Sequence, residues 1–193
     1  MAQSKFDICT RALQRIGANS IDSFDDGITE SDIAGQEYSP LVENLLTNHR
    51  WKFARKRVAL NHLIEEPVIG WTDYWQLPSD LLDLHGVFIS SNVPIVYERD
   101  QDKIACDYDE NHTLYAVYTA SFAESFWPAY FVEVVTEALE AVFWRAIVRN
   151  PDQANQTRDH LEKVTLPKAR NLDSQQQTAR KFPPSRLNAV RRI

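Results

Sequence analysis

The chain has little cysteine, little glycine and no long apolar run, and each shortage removes a class of protein. Its two cysteines among 193 residues, Cys9 and Cys106, stand far apart and in no paired spacing. That excludes a disulfide framework and leaves the expectation of reduced, partly buried thiols in a reducing compartment. Five glycines spread singly cannot build a phosphate-cradling loop, and no nucleophile elbow occurs. No window approaches eighteen uninterrupted apolar residues, and the start, MAQSKFDICTRAL, has no apolar stretch behind a basic segment. The expectation is a soluble chain made in the cytoplasm, with no membrane partner. The five histidines (His49, His62, His85, His112, His160) are scattered, without metal-ligand spacing. DSFDDG and DYDEN share only acidity with a calcium loop, and Glu65-Glu66 lies beside a proline turn. Catalytic residues, metal ligands and cofactors are therefore all read as none, and the chain as a non-enzyme.

Charge is present but unevenly distributed. Between Lys168 and Ile193 seven basic residues face one acid, Asp173, which makes this end +6 and the remainder -12 within a total of -6. An acidic body argues against a protein whose main face grips DNA, because such faces bind through clustered Lys and Arg that release counterions.

The apolar pattern predicts an α+β, mainly α, protein: a helical bundle (1–55 and 121–167), an inserted antiparallel β region (56–120) and an extended, basic C-terminal arm (168–193). Phe6, Cys9, Leu13 and Ile16 recur at helical spacing, and Gly17 is placed to end that helix in a left-handed cap. A second helix is predicted from the capping offset of Thr29 and Asp32 to about Arg50, with a kink at Pro40. RVALNHL, GWTDYWQLP, LHGVFIS, VPIVYERD, DKIACDY and TLYAVYTA are short, aromatic and β-branched, separated by turn clusters, and predict four to six antiparallel strands. After Ser125 the helical period returns, with Pro128 in a first-turn position. One stripe is Phe131, Val135, Ala138 and Val142. A second is Tyr130, Val134, Ala141, Trp144 and Val148. A helix apolar on two sides is buried between partners, so the second stripe is read as a subunit interface. Asn150-Pro151 ends this helix, a polar helix covers 152 to about 166, and Pro167 interrupts again. The end, DSQQQTARKFPPSRLNAVRRI, has too few apolar residues for a core of its own and reads as an arm with anchors for a partner.

One stretch runs against the acidic body. HRWKFARKR, residues 49–57, sets five basic residues around Trp51 and Phe53. It admits three readings: a nucleic-acid patch in which aromatics stack and cations hold phosphates, a localisation signal, or a structural junction. In the last, Arg50 opposes the dipole of the second helix while Trp51 and Phe53 plug the gap between helices and sheet.

The order of features resembles the head-to-tail adaptor proteins of tailed bacteriophages, the tail tubular protein A group and related connectors. The resemblance rests on LQRIG at 13–17 followed by a Ser-containing loop, the second helix closing in RWKF at 50–53, YWQLPSDLL at 74–82, then a long aromatic-rich helix and a charged final helix. It implies a structural virion protein at the head-tail junction. Such a protein forms a ring, usually of twelve copies, under the portal protein, receives a downstream tail or nozzle protein on its other face, and continues the channel for packaged double-stranded DNA. Trp51 and Phe53 match the family's structural aromatic pair. Portal docking would fall to Arg180, Lys181, Phe182, Pro183, Pro184, Arg186, Leu187, Arg191 and Arg192. The short strand region and proline-rich basic end depart from the longer tubular proteins. An acidic wall fits a channel through which DNA slides, since like charge repels phosphates over a Debye length of about 8 Å. The alternative reading is a nucleic-acid-binding accessory protein that uses residues 49–57 and the basic tail.

Overall fold

The computed structural model describes residues 4–89 and 93–177. The portal-docking residues, Arg180 to Arg192, lie outside the described residues. Helix α1 (Lys5–Arg15) begins in a reciprocal cap: the Asp7 N–H donates to the Ser4 hydroxyl at 3.1 Å and the Ser4 N–H donates to the Asp7 carboxylate at 2.8 Å. It ends at Gly17, whose φ of +74° is the left-handed geometry expected there. Helix α2 (Thr29–Thr47) differs from expectation at both ends. Ile28 is its N-cap, and Ser31, not Asp32, serves the cap by donating to the Ile28 carbonyl at 2.8 Å. It stops at Thr47, three residues short of Arg50, because the Trp51 indole N–H turns back to the Leu45 carbonyl at 2.8 Å and satisfies an acceptor of the last turn. Arg50 is therefore not the dipole's counterion.

The β region holds more strands than the four to six expected. They are β1 (Arg55–Ala59), β2 (Asn61–Leu63), β3 (Asp73–Gln76), β4 (Leu81–Ile89), β5 (Val93–Pro94), β6 (Glu98–Asp100), β7 (Lys103–Cys106) and β8 (Leu114–Ala120). They form two four-stranded antiparallel sheets, in the orders β1-β8-β4-β5 and β2-β3-β7-β6. The extra strands arise because RVALNHL and VPIVYERD each cross from one sheet to the other. Leu60 and Ile95 lie at those crossings and stay buried, so the backbone changes sheet while an apolar side chain remains in the core. Trp75, Ile104 and Cys106 from one sheet meet Val87, Leu114, Ala116 and Tyr118 from the other, a small sandwich with its own core. In β4 the pairing with β8 slips at Leu82 and again at His85, whose ring reaches the Thr119 hydroxyl at 2.8 Å.

The chain returns through a short 3-10 turn, Glu124–Phe126, to α3 (Ala129–Ala146), with Pro128 just outside the helix as its N-cap. Asn150 then accepts from the Gln153 N–H at 3.2 Å to start α4 (Pro151–His160). Pro167 does not interrupt the helical run after α4. A π turn, Leu161–Thr165, leads directly into α5 (Leu166–Ser174), whose first turn holds the proline. Residues 168–174, assigned to the arm on sequence, are thus helical and packed on the body, with Ala169 and Asp173 buried. The molecule is α+β. Its helical core gathers around Trp51, Phe131 and Phe143, and its two chain crossings into the sandwich lie side by side, the Ala120 N–H donating to the Ala54 carbonyl at 2.9 Å.

Candidate functional site

Trp51 is fully buried and meets Phe131 edge-on, with ring centroids 5.1 Å apart, while Phe53 lies 4.8 Å from the same ring. These aromatics form the junction between helices and sandwich and are not presented to bases. The backbone they fix has a second task. The Lys52 N–H donates to both carboxylate oxygens of Asp173, at 3.1 and 3.0 Å, and the Tyr130 hydroxyl donates to the same carboxylate at 2.9 Å. Burial first, then the hydrogen bond to Asp173 and its charge, hold the Tyr130 phenol well above its ordinary value, so it remains a donor. His49 stands 3.9 Å from Asp173, but burial and Arg170 push its pKa down and favour the neutral ring. Asp173 is 1% exposed, and Lys52 also donates from Nζ to the Ser174 carbonyl. The end of α5 is thereby clamped to the RWKF junction.

Around that point the two faces differ in charge. On one, Lys52, Arg55 and Arg57 join Gln176 and Gln177 around a cleft of about 310 Å³. The Arg55 Nε is buried without a hydrogen-bond partner among the described residues. On the other, an open groove of about 1030 Å³ runs between α3 and the α4–α5 run. Arg15 crosses its end and pairs with Glu133 at 2.6 Å and Glu140 at 3.4 Å, while His160 meets Glu137 at 2.5 Å. Once these pairs are made, Lys168 has no carboxylate partner among the described residues, and Val164 and Leu172 add apolar lining.

The stripe expected to be a subunit interface does not form one exposed face. Tyr130 reaches Asp173, Glu137 reaches His160, and α3 is covered on that side by the chain's own C-terminal helices. Val134 and Ala141 are buried within the chain and Trp144 is half-buried; of the stripe, Val148 alone is exposed, just beyond the helix. In YWQLPSDLL, Asp80 accepts from Lys56 Nζ at 2.7 Å and from the Tyr118 hydroxyl at 2.9 Å. These hydrogen bonds outweigh the opposing effect of burial and hold the Asp80 carboxyl below its ordinary value. The motif is a strand-and-turn lock, not a ligand site. Cys9 is buried and its thiol pushed up to about 12, which makes it a poor nucleophile.

Sequence reasoning missed Asp173 as a clamp, the Arg15 bridge and the aliphatic loop between β2 and β3. The first two join residues more than 100 apart in the chain and leave no local signal. The third had one: Ile64, Val68 and Ile69 flank a turn cluster where solvent-facing polar residues are the rule. No helix among the described residues is long and apolar enough to cross a membrane, and none of their His, Cys, Asp and Glu groups could hold a metal ion. Compared with protein-family models and with curated proteins, the chain matches none.

Proposed function

We propose that this chain is a structural adaptor of the tailed-bacteriophage head-to-tail type, a helical bundle with an inserted antiparallel β region and an extended C-terminal arm. Copies assemble as a ring of twelve under the portal protein at the head-tail junction of the virion, after synthesis in the host cytoplasm. They receive a tail or nozzle protein below and continue the DNA channel, without catalysing a reaction. The observation that carries the reading is the clamp on Asp173. A buried carboxylate that accepts hydrogen bonds from two distant segments holds the end of α5, close in sequence to the residues that the adaptor reading makes the arm. That geometry suits an arm that bears load against a partner. An arm that orders only on docking loses entropy there, and a ring that presents many arms together restores affinity through local concentration.

The test is negative-stain microscopy of purified portal rings with the full chain and with a chain truncated after Ala179. The adaptor reading expects an extra layer on the portal with the former and none with the latter. Bare portals with the full chain, or undiminished decoration by the truncated one, would refute it. The cleft of Lys52, Arg55 and Arg57 favours one second reading, a nucleic-acid accessory role, because three cations around one cleft suit phosphate oxygens. Salt-dependent DNA affinity that falls in a Lys52→Ala, Arg55→Ala, Lys56→Ala variant would support that role, and no binding at low salt dismisses it.

A further inference from the structure

The outer face of the sheet β1-β8-β4-β5 belongs to neither core. In β1, Lys56 and Val58 turn toward the sandwich, Lys56 to Asp80 and Val58 to the apolar core, so Arg55, Arg57 and Ala59 point the other way. Register carries that outer face across the sheet: Arg57 pairs with Val117 and then Gly86, and Ala59 with Tyr115 and then Phe88. Tyr115 is 42% exposed, and Val117 and Phe88 are half-buried without joining either apolar cluster. A Cβ on Gly86 would stand 3.3 Å from the Phe88 ring, so the ring leans over the gap that the missing side chain leaves. At the edge of this face lies the cleft of Lys52, Arg55 and Arg57. None of these three cations has a carboxylate partner among the described residues, whereas Lys56 is paired with Asp80.

We infer that this face binds single-stranded nucleic acid, with bases stacked on Tyr115 and Phe88 and phosphates held by Arg57, Arg55 and Lys52. The inference rests on the nucleic-acid reading of the cleft and deepens it by naming the state of the strand; it stands apart from the adaptor reading. Outward residues two apart in β1 are about 7 Å apart, so the step from cation to ring is short. An open sheet face with cations along one edge and rings beyond them matches a strand whose phosphates and bases lie on opposite sides. Inside a duplex each base is covered by its neighbours, and only an unpaired strand can offer a base to an exposed ring. The acidity of the chain, -6 in total, sharpens the preference. A stiff duplex carries its phosphates past the patch and up to acidic surface, while a flexible strand keeps to the cations. Asp83 shares the Arg55 row through Thr119, and its carboxylate stands 3.6 Å from the His85 ring. That carboxylate bounds the site at the end away from Tyr115.

The experiment uses the full chain and the fluorescence anisotropy of labelled oligothymidylate and oligouridylate of about 12 nucleotides, with a duplex of the same length beside them. One of the unpaired strands should bind at least about 10-fold more tightly than the duplex, and the tighter of the two identifies the sugar that the site prefers. Tyr115→Ala should weaken that binding about 5- to 100-fold, while Tyr115→Phe, which keeps the ring, should bind as the wild type does. Arg57→Ala should reduce the slope of log affinity against log salt by about 0.7, the share of one phosphate on a single strand. Both positions are exposed, and circular dichroism checks that the variants stay folded. Duplex bound as tightly as either unpaired strand, or a Tyr115→Ala variant that binds as the wild type does, would overturn the inference. The two readings fail separately. Salt-dependent binding that falls in the Lys52→Ala, Arg55→Ala, Lys56→Ala variant but ignores Tyr115→Ala keeps the nucleic-acid role and refutes the stacking face, whereas no binding of any oligonucleotide at low salt refutes both.

Discussion

The helical part and the sandwich solve the same burial problem in opposite ways. The helical part draws polar groups inward and closes on itself: Asp173, Glu137, Thr136 and Ser31 are buried, and the hydrogen bonds of Asp173 tie the end of α5 to the start of the β region. The sandwich keeps Thr119 as its one buried polar residue among those described, and places other polar contacts, such as Tyr74 with Asp100 and Lys103 with Glu65, at its rim. It leaves its aliphatics in solvent at the tip. The difference separates a region that holds its polar bonds inside from one that keeps them at its edge.

The largest effect expected is from Trp51→Ala. Emptying the site between Phe131, Phe53 and Tyr130 should cost about 3–5 kcal/mol, read as a lower denaturation midpoint in urea. The hydrogen bond to Leu45 goes with it. A loss under about 1 kcal/mol would mean that the junction is not the keystone described.

Next comes Asp173→Ala, which strands the Lys52 N–H and the Tyr130 hydroxyl and should cost about 1–3 kcal/mol. Hydrogen exchange sharpens the comparison: amides of α5 should exchange faster while those of β4 and β8 are unchanged. Equal acceleration in both would erase the distinction between the two parts.

A smaller effect is expected from pH. Burial, Arg50 and Arg55 push the His85 pKa down from 6.5, against the opposing pull of Asp83. A depressed folded-state value means the native chain prefers neutral His85. Its stabilisation is complete above pH 6.5 and is lost as pH falls from there through the folded value. His49 is shifted the same way. Melting temperatures measured downward from neutral pH should therefore decline before the carboxylates titrate, and His85→Gln should flatten part of that decline. An identical profile in the variant would remove His85 as the cause.

The smallest effect is the sharpest contrast with Trp51. Val68→Ser should change stability by no more than about 0.5 kcal/mol, because the side chain touches little in its own chain. A large loss there would show that the loop supports the sandwich.

Local signals were legible where one residue or one period decides the outcome. Gly17 marked the end of α1, Asn150-Pro151 the break before α4, and the aromatic β-branched segments the antiparallel strands, though not their division into two sheets. Other features depend on partners far away in the chain. The end of α2 is set by Trp51 turning back, strands β1 and β2 are divided by a change of sheet at Leu60, and Pro167 is tolerated because a π turn precedes it. Periodicity found the two apolar stripes of α3 but could not say that the chain's own α4 and α5 cover one of them. The apolar loop tip shows as composition in the sequence; its near-complete exposure belongs to the fold.

The adjacency of Ala54 and Ala120 has a mechanical meaning. A pull applied to the chain at residue 177 enters the helices through α5, the Asp173 clamp and α3, and reaches α2 and α1 across their packed faces. Both strands that lead to the sandwich branch off at one place, so the sandwich hangs beside this line of force instead of lying along it. Strain in the strut need not stretch the sandwich, and loops at its far end can change length without altering the strut's stiffness.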